Sequence, residues 1–342
     1  MKKTFAAAMS AVMLALGAFA FAACDNGGDA DKVTLSALPG ESDVVAVLQK
    51  AEADGTEAYG VLGEPSLTNG QAKVPSTEVV IDFQKEWKEL TGFDGYPQAS
   101  LIARTSFAQE NPEFIAELTE AVSGNAEWLA VEANVRSFEQ ALATYNEENP
   151  GEETALAGNT YTAETIERCN LGYQSAQEVK DSVKDYLGRL GTAPDDGFFY
   201  DPSAADGQAE TSGETNVVDI YMPDGTPAFA VANVFTEGLE IDGYTVNFHI
   251  LQASQIGTIF SSHDDADLAI MPTIGAATNY SKGVGIQLVS TNVFGNLYIA
   301  AVNSDVQTLE DLKGKTINTP SASTTVQLLQ YLLKENGIEY VA

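Results

Sequence analysis

The side chains that most often carry chemistry are scarce in this chain. It holds two histidines, His249 and His263, and two cysteines, Cys24 and Cys169. Neither a disulfide scaffold nor a four-thiolate zinc site can be assembled from that stock. His249 alternates with Phe248 and Ile250 as strand residues do and reads as structural. His263 sits in Ser261-Ser262-His263-Asp264-Asp265, the composition of a solvated turn. Asp264, Asp265 and Asp267 are spaced somewhat like a calcium loop, but the Gly and the later bidentate Glu of that pattern are missing. The run Gly257 to Ser262 contains no nucleophile elbow and no Lys-bearing phosphate loop. Cys169 reads as a buried packing thiol, and Trp87 and Trp128 fall in helical stretches as core residues. No catalytic residue, cofactor or metal is expected.

What remains is hydrogen-bonding chemistry, concentrated in loops. Apolar runs place strands at Val33–Ala37, Tyr59–Leu62, Glu78–Phe83, Ala99–Arg104, Val217–Met222, Tyr244–Ile250, Leu268–Met271, Gln287–Ser290, Leu297–Ala301 and Lys315–Asn318. Helical stretches alternate with them: residues 111–129, opened by Asn111-Pro112-Glu113, then Thr162–Arg168, Ser175–Leu190 and Thr324–Glu335. That alternation predicts an α/β fold with mostly parallel sheet. Ligands of such sheets bind beyond the carboxyl ends of the strands. Four loops qualify, and they nominate Asp224, Gly225 and Thr226; Pro272 and Thr273; Asn292, Phe294 and Gly295; and Ser321, Ser323 and Thr324. The last group feeds a helix start, which favours partial negative charge. Glu64, after strand 59–62, is a fifth candidate position.

The chain has 17 basic and 49 acidic side chains and a formal net charge of −32. Nucleic acid is excluded as a partner, because phosphate binding depends on clustered Lys and Arg. Lys2 and Lys3 precede an uncharged apolar stretch, Phe5 to Ala23, and then Cys24. This describes a bacterial secretory signal over residues 1–23. Phe21-Ala22-Ala23-Cys24 resembles the lipobox of bacterial lipoproteins, apart from Phe21 where Leu is usual. That resemblance implies lipidation of Cys24 and a membrane-anchored, extracytoplasmic body, in the periplasm or on the outer face of the cell membrane.

From Val33 onward the chain resembles substrate-binding proteins of bacterial ABC importers, of the nitrate/sulfonate/taurine and thiamine-precursor type. The segments that carry the likeness include Asp267-Leu-Ala-Ile-Met-Pro-Thr273, Tyr280-Ser-Lys-Gly-Val-Gly-Ile286, Ser290-Thr-Asn-Val-Phe-Gly-Asn-Leu-Tyr298 and Leu309-Glu-Asp-Leu-Lys-Gly-Lys315. Gly63-Glu64-Pro65, Tyr96-Pro97-Gln98 and Glu167-Arg168-Cys169-Asn170-Leu171 extend it. In the family the segment like 216–342 comes first, and here it comes second. The chain therefore reads as circularly permuted, with residues 202–215 joining the usual termini.

The resemblance implies a two-lobed periplasmic-binding-protein fold, type II-like. Residues 24–32 are a lipid-anchored linker, 33–95 with 304–342 form lobe 2, and 96–201 with 216–303 form lobe 1. It also implies a small-molecule ligand (a sulfonate, nitrate or a thiamine-precursor-like heteroaromatic) and ABC permease and ATPase subunits as partners. The candidate loops hold no Arg, and Glu64 and Asp224 would oppose an anion. The expected ligand is thus neutral or cationic, a heteroaromatic stacking on Phe294 or Tyr96. An enzyme of the thiamine-pyrimidine-synthase kind on the same fold, or a non-transport surface lipoprotein, stands as the alternative.

Overall fold

The computed structural model describes residues 31–191, 193–205, 216–263, 266–321 and 323–342. The expected signal peptide, Cys24 and most of the 202–215 linker lie outside these residues. Among the described residues the strands are β1 (Val33–Leu38), β2 (Ala58–Gly63), β3 (Glu78–Asp82), β4 (Ala99–Arg104), β5 (Leu171–Ser175), β6 (Asn216–Pro223), β7 (Tyr244–Leu251), β8 (Ala266–Pro272), β9 (Ile286–Val293), β10 (Leu297–Val302), β11 (Thr316–Pro320) and β12 (Tyr340–Val341). They form two six-stranded sheets, β12-β1-β11-β2-β10-β3 and β5-β9-β4-β8-β6-β7, with helices packed on both: a mixed α/β architecture.

The expectation of mostly parallel sheet is corrected. β12, β1, β11 and β2 pair in parallel, as do β8, β6 and β7, but β10 runs antiparallel to both β2 and β3, and β4 to both β8 and β9. β5 also pairs antiparallel with β9. The reason lies in the connections. A helix between two strands returns the chain to the same end of the sheet, giving a parallel pair. β10 is instead reached directly from β9 of the second sheet, and β4 is the first strand of that sheet entered after helix Phe83–Thr91 leaves the first. The boundary expected after residue 303 shifts accordingly, because Leu297–Val302 is an inner strand of the first sheet and the chain crosses at Phe294-Gly295-Asn296.

Helices form where caps and apolar period agree. Asp82 Oδ1 accepts from Gln84 N (2.9 Å) and Lys85 N (3.2 Å), opening helix Phe83–Thr91, and Gly92 at φ 80° ends it. In helix Ser323–Glu335, Leu328, Leu329, Leu332 and Leu333 are fully buried, and Gly337 at φ 69° ends the turn that follows. The helix expected across 111–129 breaks into Pro112–Ser123 and Asn125–Leu129. The buried Asn125 side chain explains the break: Nδ2 donates to Phe229 O (2.8 Å) and Oδ1 accepts from Asn233 N (3.0 Å).

The first sheet has apolar residues on both faces. One face packs under helix Glu41–Asp54 through Val44, Val45, Leu48, Leu62 and Tyr298. The other carries Leu35, Val61 and Ile317 into a larger core that continues through Trp87, Tyr96 and Tyr186 to the second sheet. The two crossing segments lie side by side there. Gln98 N donates to Val293 O (2.9 Å) and Asn296 N to Gln98 Oε1 (2.8 Å). Gly95 and Gly295 adopt φ 80° and 95°; a Cβ on Gly95 would lie 2.2 Å from Phe294 O, and one on Gly295 2.8 Å from the Tyr96 ring. Only glycine fits either place.

Candidate functional site

The carboxyl end of β2 delivers Gly63 and Glu64, and the carboxyl end of β6 delivers Asp224, Gly225 and Thr226. These loops belong to different sheets and meet at the crossing residue Asn296. Asn296 Nδ2 donates to Thr226 Oγ1 (2.6 Å) and to Glu64 O (3.2 Å), and the Thr226 hydroxyl in turn donates to Glu64 O. Glu64 N closes the group by donating to Asn296 O (3.2 Å). Thr226, Glu64 and Asn296 are all buried.

Glu64 carries a buried carboxylate into this seam. Thr68 N and Thr68 Oγ1 donate to its two oxygens at 3.1 Å each, and Arg168 Nη1 stands 3.6 Å from Oε1. Burial nevertheless lifts its pKa, with the Thr68 bonds and the Arg168 charge only partly offsetting it. Arg168 also donates to Gln71 Oε1 (3.0 Å) and pairs with Glu164 (2.6 Å). Thr68 and Thr165 hydroxyls meet at 3.0 Å, so the helix Ala163–Arg168 of the second sheet is tied to the helix Ser66–Lys73 of the first. Glu41, at the start of helix Glu41–Asp54, accepts from Gly63 N (3.0 Å), and burial raises its pKa as well. Cys169 is fully buried beside Thr226; burial, then the Glu64 charge, hold it as the neutral thiol.

The other nominated residues divide. Thr273 is buried, its hydroxyl 2.9 Å from Ser100 Oγ, which lies 2.9 Å from Thr291 Oγ1. Pro272 precedes it at the start of helix Thr273–Ser281. Asn292 is buried; its Oδ1 accepts from Ser290 Oγ (2.9 Å) and its Nδ2 has no hydrogen-bond partner. Asp224 turns away from the seam, accepting from Thr154 Oγ1 (2.5 Å) and Ala155 N (2.9 Å), and so fixes a neighbouring loop. Ser321 is exposed, with its N donating to Leu38 O (2.7 Å). Ser323 opens its helix, and Thr324 follows half-buried.

The expectation that Tyr96 offers a stacking face is corrected. Tyr96 is fully buried, stacked on Tyr186 at 5.7 Å and set edge-on to Trp87, with its hydroxyl donating to Gln84 Oε1 (2.9 Å). Its ring faces are spent on packing and offer no stacking surface. Phe294 is half-buried against Gly172. Arg168 at Glu64 is not legible in the sequence, because it sits at a helix end that only the fold brings near. Asn296 and Gln98 are hidden for the same reason: their partners are remote in sequence. His249 stacks on Tyr221 at 4.5 Å and contacts Asp219 Oδ1 through Nε2 at 2.8 Å. Among the described residues no three His, Cys, Asp or Glu gather as metal ligands, and no helix is long and apolar enough to cross a membrane.

Residues 252–342 match the family model described as NMT1/THI5 like. No curated protein matches the chain. The solved structures it is similar to include the oligopeptide-binding protein AppA from Bacillus subtilis in complex with a nonapeptide, at 12% identity and TM-score 0.31, covering 81% of this chain and 58% of that one. Another is the ABC transporter substrate binding protein CtaP from Listeria monocytogenes, at 12% identity and TM-score 0.31, covering 77% and 53%. The chain thus spans little more than half the length of these two proteins.

Proposed function

We propose that this chain is an extracytoplasmic solute-binding protein that captures a small molecule between its two sheets and delivers it to an ABC permease. The observation that carries the reading is the meeting of carboxyl-end loops from both sheets at Glu64, Thr226 and Asn296, flanked by the side-by-side crossings at Gln98 and Asn296. Loops at strand carboxyl ends are where open α/β sheets bind ligands, and two sheets joined by short crossings can close on one. The match to an NMT1/THI5-like model over 252–342 and the family-like segments supply the rest. Pro272, Thr273, Asn292, Phe294, Gly295, Ser321, Ser323 and Thr324 would line the same cleft. Lipidation at Cys24 would hold the acidic body at the membrane.

The enzymatic alternative would draw on Cys169, and a fully buried neutral thiol is a poor nucleophile. The permuted order is supported by the adjacency of the segments it separates. β12 pairs with β1, Val33 N donates to Glu339 O (2.9 Å) and Lys32 pairs with Glu339 (3.4 Å).

A thermal-shift screen over nitrate, taurine, alkanesulfonates, thiamine precursors and polyamines tests the function. A ligand at a hundred times its Kd should stabilise the chain by about 2.7 kcal/mol. A melt that no solute class moves would overturn the reading.

A further inference from the structure

The two halves touch on both sides of their crossings, and the two contacts differ in kind. On the face of the first sheet that carries helix Glu41–Asp54, the contact is polar. The Tyr298 hydroxyl donates to Arg168 O (2.9 Å), Arg168 Nη1 donates to Gln71 Oε1 (3.0 Å), and the Thr68 and Thr165 hydroxyls meet at 3.0 Å. On the opposite face the contact is aromatic. Tyr186, from helix Ala176–Arg189 of the second sheet, packs 5.5 Å from Trp87 and 5.7 Å from Tyr96. Arg189, at the end of the same helix, donates to the Tyr331 hydroxyl (2.7 Å) and holds its guanidinium 5.9 Å from the centre of the Trp87 ring. The crossings at residues 95–98 and 294–296 lie between the two contacts, in line with β4, β9 and β10.

We propose that the crossings are the fulcrum of a see-saw, and that the tie from Arg189 to Tyr331 is the latch on its aromatic side. Rotation that parts the polar contact presses the aromatic one, and rotation that parts the aromatic contact presses the polar one. Thr165, Trp87, Tyr96 and Tyr186 are fully buried, so neither side can yield without the other opening. The two sides are not equally content. Trp87 Nε1 and the Tyr186 hydroxyl are buried with no hydrogen-bond partner among the described residues. Parting the aromatic side brings both to water and relieves that cost. The tie between Arg189 and Tyr331 spans this side and opposes the release. One consequence rests on the solute-binding reading above: a solute that draws the polar side shut works against the latch and is helped by hydration of those two groups.

The chain carries its own probe on each side, so the test needs no solute. Cys169 is buried beside Thr226 on the polar side, and Trp87 lies on the aromatic side. In the chain carrying Cys24→Ser and Trp128→Phe, Cys169 is the sole thiol and Trp87 the sole indole. In that background Tyr331→Phe keeps the ring and removes the tie. It should raise acrylamide quenching of Trp87 by about twofold and slow the labelling of Cys169 by dithionitrobenzoate by about threefold. Arg189→Met cuts the same tie from its other end and should act likewise. Gln71→Leu, which loosens the polar side, should do the reverse: faster labelling of Cys169 and weaker quenching of Trp87. Opposite signs at the two probes are the signature of the see-saw. Changes of the same sign at both probes, a change confined to the mutated side, or no change at either overturns it. None of these outcomes touches the thermal-shift screen, on which the solute-binding reading stands or falls separately.

Discussion

Glu64 shows how one side chain can tie neighbouring elements together and still cost free energy. Burial raises its pKa, so the folded chain holds that proton more tightly than the unfolded one does. Its contribution to stability is complete below the unfolded pKa and is lost as pH rises through the higher folded value. Glu64→Gln removes the titration while keeping the shape. The stability of the variant relative to the native chain should therefore increase as pH rises above about 4. Melting both proteins at a series of rising pH values checks it, and a gap that stays constant or closes would show that burial does not disfavour the Glu64 charge. Asp224 gives a contrasting case. Its two bonds to Thr154 and Ala155 hold a loop, so Asp224→Ala should lower stability by about 1–3 kcal/mol, measured by urea denaturation. Glu64 and Thr226 were legible in the sequence as loop residues at strand ends. Asn296, Gln98 and Arg168 were not, because each acts through partners that no local spacing connects. Tyr96 was misread because an aromatic near a loop looks the same whether its faces are free or covered.

At the scale of elements, apolar runs and caps predicted the inner strands well. β5 escaped because Leu171-Gly172-Tyr173-Gln174-Ser175 is half-buried and interrupted by a glycine, and β12 because two residues carry no pattern. Strand direction was not legible at all, since a period-two pattern is the same read either way. The crossing segments are where backbone demands are strictest. Gly95→Ala would place a methyl 2.2 Å from Phe294 O at φ 80°, and should cost about 2–4 kcal/mol in urea denaturation. Leu332→Ala, in the fully buried stripe of helix Ser323–Glu335, should cost about 2–5 kcal/mol by the same measurement. A loss below about 1 kcal/mol at either site would mean that the local packing relaxes around the change.

For the whole molecule, the formal charge of −32 is a standing self-repulsion that a few exposed ion pairs do little to relieve. Raising salt from about 10 mM to about 1 M shortens the screening length from about 30 Å to about 3 Å. The melting temperature should rise over that range in sodium chloride. A fall would mean that attractive pairs such as Arg168 with Glu64 outweigh the general repulsion. The order of segments makes its own forecast. A chain running 216–342 and then 31–205 should give the same circular dichroism and a cooperative melt, because β12 already lies beside β1. Failure of that chain to fold would remove the permutation reading.

The two crossings between the sheets also have a mechanical meaning. Pressed together at Gly95, Phe294, Gln98 and Asn296, they form a narrow ribbon, pliant to flexing out of its plane and stiff to bending within it. Such a ribbon reduces the relative rotation of the two halves towards a single angle. On the proposed solute-binding reading, closure would then have little rotational freedom of the two halves left to remove, and more of the contact energy would survive as affinity.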